Sequence, residues 1–168
     1  IIALEPNNPS SFTNLSESLV KLGHPEDALT VLLDGEELNP ESEEIKFALA
    51  KRLIENNKPE AALVKLGEIK DSEDRDFYNA LGVANDMVGE FESAQTAYKK
   101  GLEVKPNDGM LLNNMALSHV LNKDYKKGIE ILEDLVARPR YNLRYRQNLA
   151  LAYGLNKQDS KAKRMLMK

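Results

Sequence analysis

"YNALGVANDMVGEFESAQTAYKKGLEVKP", residues 78–106, holds two helical stripes separated by one break. Tyr78, Leu81, Gly82 and Asn85 fall at i, i+3, i+4 and i+7, one side of a first helix. "VGEFES" interrupts the pattern with a turn signal. Ala94, Ala97, Tyr98, Gly101 and Leu102 then form a second stripe at i, i+3, i+4, i+7 and i+8. Pro106 closes it, because proline cannot continue a helix. The stretch reads as helix, short turn, helix. Its alanines and glycines have a physical purpose: two helices approach closely only where the Cβ is small or absent, and a bulky neighbour fills the groove beside the crossing.

The same unit recurs along the chain. An apolar residue stands at Leu15, Leu49, Leu81, Met115 and Leu149, in steps of 34, 32, 34 and 34. The residue after each is small: Ser16, Ala50, Gly82, Ala116 and Ala150. Thirteen positions further on runs a second ladder, Ala28, Ala62, Ala94, Gly128 and Ala162. Four residues beyond each of these stands Leu32, Leu66, Tyr98, Leu132 or Leu166. Breakers separate the ladders at "LGHPED", "NNKPEA", "NKDYKK" and "NKQDSK" as well. Pro40 closes the first unit, and Pro6 closes one whose start lies upstream.

Composition narrows the class. The 168 residues are 42% hydrophobic and 30% charged, which suits a folded helical protein. A net charge of −4 argues against a general polyanion binder. There is no cysteine, so disulfides and thiolate metal sites are excluded. No run approaches the 18 or so apolar residues of a membrane-spanning helix. The opening "IIALEPNNP" and the ending "AKRMLMK" read as cuts within a longer chain, so missing targeting signals carry no weight.

A 34-residue period with Tyr78, Leu81, Gly82, Ala94, Tyr98 and Pro106 in order resembles the tetratricopeptide repeat. Asn85 stands where that family usually has Tyr. Phe12, Leu15, Ala28 and Pro40 give the first unit the same look. The resemblance implies an all-α fold, a right-handed α-solenoid of helix-turn-helix repeats with four full repeats and a partial fifth. The repeats fall at about 9–42, 43–74, 75–108, 109–142 and 143–168, with 1–8 ending a preceding repeat. A narrower likeness lies in "RYRQNLALAYGLNKQDSKA" after "GIEILEDLVARP". This looks like the last repeats of the tetratricopeptide lipoproteins of tight-adherence (Flp) pilus assembly. It implies a protein of the bacterial periplasm or outer membrane, where the first likeness alone leaves a cytoplasmic place open.

The family resemblance also implies a concave groove lined by the far side of each first helix. The wheel puts Asn79 and Val83 there in the third unit. Asn113, Asn114 and Leu117 follow in the fourth, and Arg144, Gln147, Asn148 and Leu151 in the fifth. A side-chain amide both donates and accepts, so the Asn residues suit the backbone of an extended peptide. Leu117 and Leu151 would hold its apolar side chains. The competing role for each residue is to pack adjacent first helices together. The carboxylate clamp of co-chaperone members is incomplete here: Asn14 matches one clamp position without the expected Lys before it.

Arg138, Arg140, Arg144 and Arg146, with Tyr141 and Tyr145, cluster at the joint between the fourth and fifth units. Arg144 and Arg146 fall in the first turn of a helix, where a cation is disfavoured. Salt links to Glu130, Glu133 or Asp134, an acidic patch on a partner, and nucleic acid are the three readings. Overall charge and the cluster's short extent weigh against the last.

No zinc-protease motif, nucleophile elbow or Gly-rich phosphate loop occurs. His119 fills an interhelical slot, His24 a turn, and "ESEE" at 41–44 a helix start. The sequence therefore predicts a non-catalytic interaction scaffold with no cofactor and no metal, and a protein or peptide partner in the groove. A self-associating solenoid is the structural rival. A nucleic-acid binder similar to pentatricopeptide repeats is a second.

Overall fold

The computed structural model describes residues 8–70, 72–139 and 142–167. Pro6, Arg140 and Tyr141 lie outside them. Among the described residues there are ten α-helices and no strand. The chain divides into two compact units, 1–72 and 73–168.

The first unit holds α1 (Pro9–Lys21), α2 (Pro25–Leu38), α3 (Glu43–Glu55) and α4 (Pro59–Gly67). Phe12, Leu32, Ile45 and Leu49 form its core. Gly35 of α2 lies flat on Phe12: an added Cβ would stand 2.7 Å from the ring. The acidic start of α3 also ties two helices together. Glu44 accepts from Ser10 Oγ at 2.9 Å and from Thr13 Oγ1 at 2.7 Å, both on α1.

The second unit holds α5 (Arg75–Met87), α6 (Phe91–Val104), α7 (Gly109–Leu121), α8 (Tyr125–Ala137), α9 (Leu143–Leu155) and α10 (Asp159–Leu166). Tyr98 packs with Ala94 and Leu111. Leu132 packs with Ala116, Leu135, Leu149 and Tyr153. Leu32, Tyr98 and Leu132 of the second ladder are thus each covered by the first helix of the next pair. Leu166 differs, at 66% exposed, and no described helix follows α10 to cover it. Burying one Leu of this kind contributes about 1.5–3 kcal/mol.

The helices start and stop where local chemistry directs. Every first helix has a side-chain cap: Asn8, Ser42, Asp74, Asp108 and Asn142 each accept from an orphan backbone N–H. Within each pair the turn carries one residue of positive φ: Gly23, Asn57, Gly89, Lys123 or Lys157. The same hydrogen bonds close all five turns. Next to Gly89, for example, Glu90 N donates to Asn85 O at 2.9 Å; next to Lys123, Asp124 N donates to His119 O at 2.8 Å. Arg138 ends α8 with an extended backbone, ψ 144°, as a residue before proline should.

Candidate partner-binding site

In the second unit the first helices α5, α7 and α9 touch in succession. Residues at equal phase on them therefore line one face. The asparagines of that face are joined to each other. Asn148 Nδ2 donates to Asn113 Oδ1 at 2.8 Å, Asn113 Nδ2 to Asn114 Oδ1 at 3.2 Å, and Asn114 Nδ2 to Asn79 Oδ1 at 2.9 Å. This amide relay links α9 to α7 and α7 to α5. Asn113 sits at its centre, 8% exposed, with both ends of its amide engaged. Asn79, Asn114 and Asn148 are half-buried. Sequence phase placed all four on one face but left open whether they meet a partner or one another; in the folded chain they meet one another.

Beside the relay runs an apolar strip. Val83 and Met87 on α5, Leu117 and Leu121 on α7, and Leu151 and Leu155 on α9 stand at i and i+4. Val83 and Leu117 are half-buried. Met87 is 39% exposed, Leu121 56%, Leu151 53% and Leu155 48%. Between α5 and α7 the strip opens into a cavity of about 260 Å³, lined by Val83, Asp86, Met87, Tyr98, Asn114, Leu117 and Leu121. Asp86 Oδ2 accepts from the Tyr98 hydroxyl at 2.8 Å. Burial raises the Asp86 carboxyl above its ordinary value, with the Ser118 and Tyr98 hydroxyls opposing. The buried Tyr98 hydroxyl, next to that carboxylate, is raised as well. The sequence does not pair Asp86 with Tyr98, because a helical wheel carries no information about the second helix of the hairpin.

The arginine cluster divides by role. Arg138 pairs with Asp134 at 2.7 Å and donates to the Asn107 carbonyl at 3.1 Å. Tyr145 covers Gly109, where a Cβ would stand 2.6 Å from its hydroxyl. Glu133 accepts from the Tyr153 hydroxyl, whose pKa burial and that contact push up to about 12. Arg144 and Arg146 make no ion pair among the described residues. Arg144 and Gln147 are exposed at the α9 end of the face. His119 is buried, its Nδ1 3.6 Å from Asp124, and burial lowers its pKa.

The first unit has its own hollow, about 250 Å³, which includes Thr13, Asn14, Glu17, Phe47 and Lys51. It is polar, and Lys51 Nζ stands 5.6 Å from the centre of the Phe47 ring. No group of three or more His, Asp or Glu among the described residues is placed to hold a metal ion, and none of their helices is long and apolar enough to cross a membrane.

The α5–α6 hairpin carries the signature that decides the comparison: Gly82 beneath the Tyr98 ring, Gly101 against Leu111 and Tyr78. Residues 76–108 match the tetratricopeptide repeat. The helical architecture is that of tetratricopeptide-repeat structures. A thermophilic tetratricopeptide-repeat protein of Thermus thermophilus superposes with TM-score 0.76 at 20% identity, over 94% of this chain and 88% of that one. The structure of MamA gives TM-score 0.74 at 20% identity over 89% of each chain. PilF of Pseudomonas aeruginosa gives 0.76 at 17% identity, over 94% of this chain and 72% of that one. These identities establish the tetratricopeptide fold alone. No curated protein sequence matches the chain.

Proposed function

We propose that this chain is a non-catalytic protein-interaction scaffold that holds a peptide or partner segment along the α5, α7 and α9 face. The apolar strip carries the reading. Six apolar side chains at matched phase on three neighbouring helices, four of them at least 39% exposed, are costly to leave in water without a use. Val83, Leu117 and Leu151 would take the partner's apolar groups. Asn79, Asn114, Asn148 and Gln147 border them with amides, and Arg144 offers an unpaired cation at the α9 end. Asn113 serves from beneath, by holding its neighbours in register. The test is panning of a random peptide display library on the protein. Recovered peptides should lose binding to a Leu117→Ser/Leu151→Ser variant of unchanged helicity; equal binding to that variant refutes the face as the docking site.

A narrower reading places the scaffold in bacterial tight-adherence pilus assembly. Its support is the likeness of residues 144–162 to the lipoproteins of that system. Deleting the gene from its host should abolish surface pili in electron micrographs, and normal piliation would refute it.

A further inference from the structure

The cavity between α5 and α7 has apolar walls and one carboxylate. Val83, Met87, Leu117 and Leu121 supply the walls, and Asp86 and Tyr98 complete the lining. The Tyr98 hydroxyl occupies one acceptor site of Asp86 Oδ2. Asp86 Oδ1 is buried with no donor in full hydrogen-bond geometry; the nearby Ser118 hydroxyl stands 3.4 Å from the Phe91 carbonyl and is shared between it and the carboxyl. No cation acts on Asp86 among the described residues. An ionised carboxylate has about four acceptor sites, so two neutral hydroxyls leave part of its capacity unused. A neutral acceptor would serve Tyr98 equally well. A charge held at an apolar cavity without a counter-ion is costly to keep. A metal ion is a poor complement, because Asp86 belongs to no group of three or more His, Asp or Glu among the described residues.

We infer that the Asp86 cavity is a subsite for a cationic side chain, Lys or Arg, carried by the segment that binds the α5–α7–α9 face. Such a side chain has both halves of the required chemistry. Its aliphatic stem lies along Val83, Met87, Leu117 and Leu121, and its charged head reaches the carboxylate. A cavity of about 260 Å³ admits one side chain of this size. The inference rests on the docking face proposed above and adds the charge its occupant brings.

The experiment uses n-butylammonium and 1-butanol as probes of equal length, titrated into methyl-labelled protein and followed by the NMR shifts of Val83, Leu117 and Leu121. Butylammonium should bind about tenfold more tightly than butanol, because only it makes a charge-assisted hydrogen bond. Asp86→Asn keeps an acceptor for Tyr98 and should erase the difference. Equal affinity of the two probes for the native protein overturns the subsite, and so does a preference that survives Asp86→Asn. The native comparison alone decides if the variant fails to fold. If neither probe moves these methyls, the subsite also falls. The docking face is judged separately, by the response of library peptides to Leu117→Ser/Leu151→Ser.

Discussion

Gly82 and Tyr98 occupy one space: a Cβ on Gly82 would stand 2.3 Å from the Tyr98 ring. The ring cannot swing aside cheaply, since it is 1% exposed and its hydroxyl is held by Asp86. Gly82→Ala should therefore cost about 1–3 kcal/mol through overpacking, despite alanine's better helix propensity. Gly154→Ala is the control. Nothing lies within 4 Å of its added methyl, and it should stabilise by about 0.5–1 kcal/mol. Urea unfolding of both variants checks the pair; a neutral Gly82→Ala would show that α5 and α6 do not meet so closely.

The amide relay makes a second prediction. Asn113→Ala removes the donor to Asn114 and the acceptor of Asn148 together, and should cost about 1–3 kcal/mol. In a double-mutant cycle, Asn113→Ala and Asn148→Ala should couple by at least about 0.5 kcal/mol. Additive losses would mean that the two amides are not bonded.

Turn geometry gives a stabilising change. Lys123 has φ 63° and Lys157 φ 57°, a region that costs a side-chain-bearing residue about 1–2 kcal/mol. The equivalent positions in other hairpins are Gly23 and Gly89. Lys123→Gly and Lys157→Gly should each raise the melting temperature, less the entropy that glycine adds to the unfolded chain. A fall in melting temperature for both would contradict the left-handed turns.

Asp86 sets a pH dependence. Its folded pKa lies above the unfolded value, so its ionisation opposes folding. Its relative contribution is best in acid, where both states are protonated, and is lost as pH rises through the folded pKa. Asp86→Asn should thus be more stable than the native chain at neutral pH, with the gap closing as pH falls through the raised pKa of Asp86. Thermal melts of both proteins across that range check the sign, and a gap that widens in acid reverses it.

Much of the fold was legible in the sequence because its signals are local and repeated. The ladders from Leu15 and Ala28 mark crossing points, and Ala28, Leu32, Leu49, Ala94 and Leu132 are each at most 1% exposed. The candidate site was legible only in part. Helical phase put Asn79, Asn113, Asn114 and Asn148 on one side, yet whether amides at adjacent phases reach each other depends on differences of roughly a few tenths of an ångström in how far apart the helices sit. Asp86 shows the same limit: its partner Tyr98 comes from the other helix of the hairpin, beyond the reach of a one-helix wheel. The lysines at 123 and 157 gave no warning of left-handed turns, because side-chain chemistry there does not announce backbone sign.

Because every hairpin seals its own bend with bonds internal to itself and begins with a short polar cap, the chain is built of interchangeable modules. Excising 109–142 would join Asp108 directly to Leu143, so that an aspartate cap takes over from Asn142 at the head of α9. Gene duplication or loss in 34-residue increments could lengthen or shorten such a protein without inventing a new corner, which leaves the inward-facing side chains free to diverge.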